Sequence, residues 1–96
     1  MRARYSAHAV QDEPFLLRSW DPATRPRHIT FDPSVRWTRL EILSTTGGNL
    51  LDSEGTVDFV AHFEVAGAAQ THHEVSRFVR SDHRWVYVGV VGDPIA

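Results

Sequence analysis

Two hydrophobic periods divide the chain. From Arg2 to about Ser19, apolar positions recur at helical spacing. Ala3, Ala7 and Val10 can share one helical face, with Tyr5 and Ala9 beside it. Asp12-Glu13-Pro14 interrupts that helix and starts a second, because an acidic residue ahead of a first-turn proline is an N-terminal signal. Phe15-Leu16-Leu17 and Trp20 supply its apolar stripe, with Leu16 and Trp20 one turn apart. Asp21-Pro22 and Arg25-Pro26 end it, since proline disfavours helix in the residue before it.

From there the period falls to two. His28-Ile29-Thr30-Phe31 is expected as a short edge strand before an Asp32-Pro33 turn, and Arg36 to Thr45 as the next strand, ended by Gly47-Gly48-Asn49. Thr56 to Val65 alternates, with Val57, Phe59, Ala61, Phe63 and Val65 on one face. Ala66-Gly67-Ala68-Ala69 turns the chain into a strand from Gln70 to Arg80. Ser81-Asp82-His83-Arg84 turns it again, into a last strand from Trp85 to Val91. Helices first and a meander afterwards predict an α+β fold, with N-terminal helices packed on an antiparallel sheet.

Register follows from the turns. A turn centred on Gly67-Ala68 sets Phe63 opposite His72, Ala61 opposite Glu74, Phe59 opposite Ser76 and Val57 opposite Phe78. A tight turn at Asp82-His83 sets Trp85 opposite Arg80 and Tyr87 opposite Phe78. The parity of this arrangement is firmer than the pairing, because a one-residue slip would expel Phe78 from the apolar face. That face, which the helices are expected to cover, then carries His72, Glu74 and Ser76 among aromatic residues. The opposite face carries Val60, Val75, Val79, Val86, Val88 and Val90, more aliphatic surface than a solvated face needs. A second copy of the chain is expected to cover it as a homodimer. The alternative is that the valines only reflect β propensity on an exposed face.

The 96 residues make a single domain over 1–96, and 42% hydrophobic content with ten aromatic residues gives it a core. There is no cysteine, which excludes disulfides, thiolate nucleophiles and cysteine zinc sites. All ten basic residues are arginine, so Schiff-base chemistry and a phosphate-loop lysine are excluded too. With a net charge of −2 and scattered arginines, nucleic acid is not an expected partner. No apolar run reaches the ~20 residues of a membrane helix, and no basic-then-apolar leader opens the chain. A cytoplasmic location without membrane contact is expected.

Several blocks carry a resemblance. They are Arg2 to Ala7, Leu16-Leu17-Arg18-Ser19-Trp20-Asp21-Pro22-Ala23-Thr24-Arg25-Pro26, Trp37 to Ile42, Gly55 to Phe59, His73 to Phe78, and Arg84 to Tyr87. Together they resemble the central domain of the bacterial YchJ-like family over nearly the whole chain. The resemblance implies a nuclear transport factor 2-like cone, a strongly curved antiparallel sheet wrapped around helices with an internal pocket. Asp21 stands where many members carry a histidine. The cysteine-rich SEC-C segments that flank the domain in many members are not present here. The expectation is either a stand-alone version or flanks that were never part of it.

Glu74 is the most informative residue. A carboxylate on a covered face is costly unless it is paired or protonated. It is either a general acid or base in a pocket, or the partner of an arginine such as Arg4 or Arg25 that ties helix to sheet. Arg4, Tyr5, Trp20, Arg25, His72, Ser76, Trp85 and Tyr87 are the candidate pocket residues around it. Phe59, Phe63 and Phe78 could line a cavity or fill it. His62 is expected opposite His73 on the outer face, with His72 pointing the other way, so no metal site is expected. No cofactor is implied. Ser76 lacks a nucleophile's environment. Two functions are carried forward. One is a binding module for a small molecule or a partner protein. The other is a pocket enzyme of isomerase, dehydratase or hydrolase type, with Glu74 as base, Tyr5 or Tyr87 as oxyanion donor, and Trp20 and Trp85 as walls.

Overall fold

In the computed structural model, which describes residues 1–49 and 51–91, two short helices precede a four-stranded antiparallel meander. The helices are α1 (Arg2–Ala9) and α2 (Glu13–Arg18). The strands are β1 (Val35–Gly47), β2 (Glu54–Val65), β3 (Ala68–Ser81) and β4 (Arg84–Val90), and their spatial order is their chain order. The α+β layout expected from the two periods is the one observed.

Helix α1 turns a different face inward from the one its alanines suggested. Arg4 and Ala7 are buried, whereas Val10 is 74% exposed. The break to α2 is as expected. Asp12 caps α2 by accepting the Phe15 N–H at 3.2 Å, and Pro14 sits in the first turn. Leu16 is fully buried, and this six-residue helix packs against α1.

The chain after α2 also departs from expectation. The segment 28–31 is not a strand; the Ile29 N–H donates to the Glu13 carboxylate at 3.0 Å instead of to a sheet. The segment that does join the sheet is Ser19–Asp21. Tyr87 N–H donates to the Ser19 carbonyl (2.9 Å) and Asp21 N–H to the Tyr87 carbonyl (2.7 Å), forming a short parallel bridge between Trp20 and Tyr87. It covers the edge of β4.

The β2–β3 turn is tighter than the sequence suggested. Ala66 and Gly67 take φ of 53° and 82°, the left-handed pair that a two-residue hairpin turn requires. Val65 therefore pairs with Ala68, and the ladder runs two residues away from the expected register. Phe59 faces Glu74, Ala61 faces His72, and Val57 faces Ser76. An even shift preserves parity, so every side chain keeps its expected face. The Asp82-His83 turn, with φ of 51° and 65°, gives the expected pairs of Arg80 with Trp85 and Phe78 with Tyr87.

Bulges curve the sheet. In β1 the register jumps between Trp37 and Arg39 and between Ile42 and Ser44, so Thr38 and Leu43 are extra residues on that strand. A third jump, between Arg77 and Phe78, sets Val90 opposite Ser76. Val90 is thus removed from the outer face where alternation alone would put it. Val60, Val75, Val79 and Val88 are half-buried and Val86 is buried. Ion pairs are interleaved with them: Arg36–Glu64, Arg39–Glu41–His62, Asp58–His73 and Glu54–Arg77. Pairs this exposed are worth roughly 0.2–1 kcal/mol each.

The inner face holds Phe59, Ala61 and Phe78, which with Ala7 and Leu16 make most of the buried apolar core. Two helices of eight and six residues are small beside strands of up to 14. They leave part of the concave face unfilled.

Candidate functional site

The unfilled space is a cavity of about 250 Å³. Helix α1 contributes Arg4, Tyr5 and His8, positions within one turn that share a face. Trp20 follows α2, Trp37 comes from β1, and Phe59 and Ala61 come from β2. Alternation along β3 aims His72, Glu74 and Ser76 at the same space, and β4 adds Tyr87.

Arg4 is only 6% exposed. Its Nη1 donates to the Leu16 carbonyl at 3.1 Å and to Ser19 Oγ at 2.7 Å. Its guanidinium carbon lies 5.1 Å from the Trp20 ring centre and 4.5 Å from that of Tyr87. Arginine over aromatic rings gains on the order of 0.5–2 kcal/mol per contact as burial deepens. Burial lowers the Arg4 pKa, while Tyr87 and Glu74 act to raise it. Among the described residues Arg4 makes no ion pair. The expected Arg4–Glu74 bridge is not formed.

Glu74 is held by neighbours on the sheet instead. Its side chain is 16% exposed. Oε1 meets His72 Nε2 at 3.0 Å, and Oε2 accepts Ser76 Oγ at 2.6 Å and the Tyr87 hydroxyl at 3.4 Å. Burial first, and then the Glu74 charge, push the Tyr87 pKa up to about 12. Burial also raises the Tyr5 pKa. His8 is pushed the other way, by burial and then by the Arg4 charge, which favours neutral imidazole. The Tyr5 hydroxyl and the Trp20 Nε1 are buried with no hydrogen-bond partner.

Of the residues singled out in the sequence, Glu74, Arg4, Tyr5, Trp20, His72, Ser76 and Tyr87 come together here. Arg25 and Trp85 do not. Arg25 is exposed, and its Nη2 donates to the Trp20 carbonyl at 3.0 Å, bracing the segment without reaching the cavity. Trp85 pairs with Arg80, whose guanidinium lies 4.9 Å from its ring centre, and it lines a second, wider cavity of about 420 Å³ near the β1–β2 turn. His8 and Trp37 were missed. Their signals were present: His8 follows Arg4 by one turn, and Trp37 is the first aromatic residue of β1.

The histidines separate. His62 pairs with Thr71 and bonds Glu41 Oε1 at 3.2 Å. His73 pairs with Val60 and bonds Asp58 Oδ1 at 2.5 Å. The two-residue register change removes the expected His62–His73 pairing. Among the described residues no group of three metal-ligating side chains converges.

A curved antiparallel sheet with N-terminal helices on its concave face, and a cavity between them, defines a nuclear transport factor 2-like domain. Residues 1–90 match the family model described as "YchJ, middle NTF2-like domain". The chain belongs to the YchJ family, whose curated members carry the name UPF0225. It is similar to the UPF0225 protein of Chromobacterium violaceum, with 46% identity over 91 residues, 92% of this chain and 67% of that protein. It is 52% identical over 88 residues to that of Streptomyces avermitilis, spanning 92% of this chain and 60% of the relative. The solution structure of a SEC-C motif containing protein from Rhodopseudomonas palustris superposes with a TM-score of 0.81 at 29% identity, covering 97% of this chain and 75% of that one. A SEC-C motif containing protein from Psychrobacter arcticus shares the fold, with a TM-score of 0.72 at 24% identity over 99% of this chain and 60% of that one. No helix among the described residues is long and apolar enough to cross a membrane.

Proposed function

We propose that this domain is a small-molecule binding module and that the cavity between α1 and the sheet is its site. The observation that carries this reading is the unclosed pair of charges. Arg4 and Glu74 line one cavity, yet each is held by other groups instead of by its partner. A purely structural arginine on this face would gain most by closing onto the carboxylate with two bonds. The walls are mainly aromatic, and the volume lies just below the ~300–1,000 Å³ of drug-sized pockets, which limits the ligand to about one ring. Docking of a partner protein has less support, because the unmatched polar groups lie inside the molecule. A homodimer through the outer sheet face belongs to the same proposal, with Val60, Val75 and Val79 as its apolar part.

Proton-transfer catalysis is the second reading. In its favour, the Tyr5 hydroxyl is a donor without a partner, and Tyr5 and Glu74 line the same cavity. Tyr87 is spoken for by Glu74, and Trp37 replaces Trp85 as a wall. Three donors already fix the carboxylate, and that favours binding over a mobile base.

Native mass spectrometry of protein purified without a metal-affinity tag reads retained ligand and oligomeric state together. A ring-sized added mass, lost in Trp20→Ala, is expected. A bare chain after incubation with a metabolite extract, together with a loss of about 3–5 kcal/mol in Glu74→Gln, would mark the charges as structural only.

A further inference from the structure

Resting on the cavity as a small-molecule site, we infer that its ligand is an uncharged single-ring compound with an amide edge, whose N–H donates to His8 and whose carbonyl accepts from Arg4.

The polar groups of the cavity differ in what they have left to offer. Glu74 is engaged on both oxygens, by His72, Ser76 and Tyr87. The Tyr5 hydroxyl and the Trp20 N–H have no partner but are sealed within the protein, so a ligand does not reach them. Arg4 and His8 are neither engaged nor sealed. Arg4 commits Nη1 to the Leu16 carbonyl and Ser19, which leaves Nε and Nη2 without a hydrogen bond among the described residues. The His8 ring makes aromatic contacts but no hydrogen bond or ion pair among those residues. None of these nitrogens is shut off as the Tyr5 and Trp20 groups are. Both head groups also sit at the cavity. The guanidinium lies over the Trp20 and Tyr87 rings, and the imidazole is 6.3 Å from the Trp37 ring, three of the cavity's walls.

Position and charge set what the pair can hold. His8 follows Arg4 by one turn of α1, so their side chains are neighbours, with Cβ atoms about 5–6 Å apart. Arg4 can only donate. Burial, and then the Arg4 charge, favour neutral His8, and a neutral imidazole has one acceptor nitrogen. A donor and an acceptor side by side on one ligand answer this pair, and an amide presents both on one edge. A carboxylate would offer His8 no donor, and it would add a second negative charge to that of Glu74, whose field already reaches Arg4, His8 and Tyr87. An ammonium group would meet the Arg4 charge and give it no acceptor. The volume of about 250 Å³ and the aromatic walls admit one ring beside the amide.

Four probes of matched size separate the possibilities by calorimetric titration: benzamide, benzoate, acetophenone and toluene. Benzamide is expected to bind ten-fold or more tightly than the other three. Acetophenone keeps the carbonyl and lacks the N–H, so its deficit reads the bond to His8. His8→Phe keeps a ring against Phe31 and Trp37 and removes the acceptor. It is expected to weaken benzamide about ten-fold, to the level of acetophenone, and to leave acetophenone unchanged, with far-ultraviolet circular dichroism confirming the fold. Binding of benzoate, acetophenone or toluene as tight as that of benzamide would overturn the inference while leaving the site in place, and so would a folded His8→Phe that binds benzamide undiminished. No binding by any of the four would remove both.

Discussion

Tyr87 shows how far one position in the cavity differs from water. Its pKa stands near 12, raised by burial and then by the Glu74 charge, against about 10 for a free tyrosine. The folded chain therefore holds this proton more tightly than the unfolded one. The stability this contributes is complete below about pH 10 and is lost as the pH rises towards 12. Tyr5 shifts in the same direction, and these are the two tyrosines of the chain. In an ultraviolet titration the native protein is expected to form phenolate later than the denatured protein, and Tyr87→Phe should remove the upper step and flatten the alkaline loss of stability. At this scale the sequence was partly legible. Sheet parity alone brought Glu74, Ser76 and Tyr87 to one face. Arg4 as a buried helix residue was harder to see, because a hydrophobicity pattern counts arginine as polar. Its burial depends on Trp20, Tyr87, the Leu16 carbonyl and Ser19, groups that are distant in sequence.

Among the elements, the β2–β3 hairpin shows what patterning fixes and what it leaves open. Alternation specifies the face of every residue in β2 and β3 but cannot distinguish registers that differ by two. The turn decides, and Ala66-Gly67 gives no strong local signal because alanine is unusual at positive φ. Asparagine tolerates that conformation, and Asn-Gly is the favoured two-residue hairpin turn. Ala66→Asn is therefore expected to stabilise the protein by up to about 1 kcal/mol without moving the register, read as a higher midpoint in urea with an unchanged slope. The missing strand at 28–31 has a similar origin. Ile29 and Phe31 look like an edge strand, but the Ile29 N–H goes to Glu13 of α2 and the Phe31 ring packs edge-on against His8 of α1. A short apolar run does not announce whether a sheet or a helix will take it.

For the molecule as a whole, the fold was readable because helices precede strands and the strands follow one another in space as in sequence. The cavity was less so, since it arises from a mismatch in size between short helices and long, bulged strands, and no single motif encodes it. The bridge between Trp20 and Tyr87 carries a consequence for how the chain folds. Each hairpin of the meander closes over a tight turn or short loop, whereas this bridge joins residues separated by most of the sequence. Loop-closure entropy grows with separation, so contacts between near neighbours come at lower cost. The hairpins are expected to form first, with the bridge as the final seam. In pulsed hydrogen exchange during refolding, the amides of Asp21 and Tyr87 should gain protection after those of the β2–β3 ladder. Arg4 is seated against both residues of that seam, so the binding chamber is expected to be completed only in the last step. A chain stalled before that step would hold a sheet and no site, and for a folding-quality check, ligand retention would report the finished molecule where secondary structure could not.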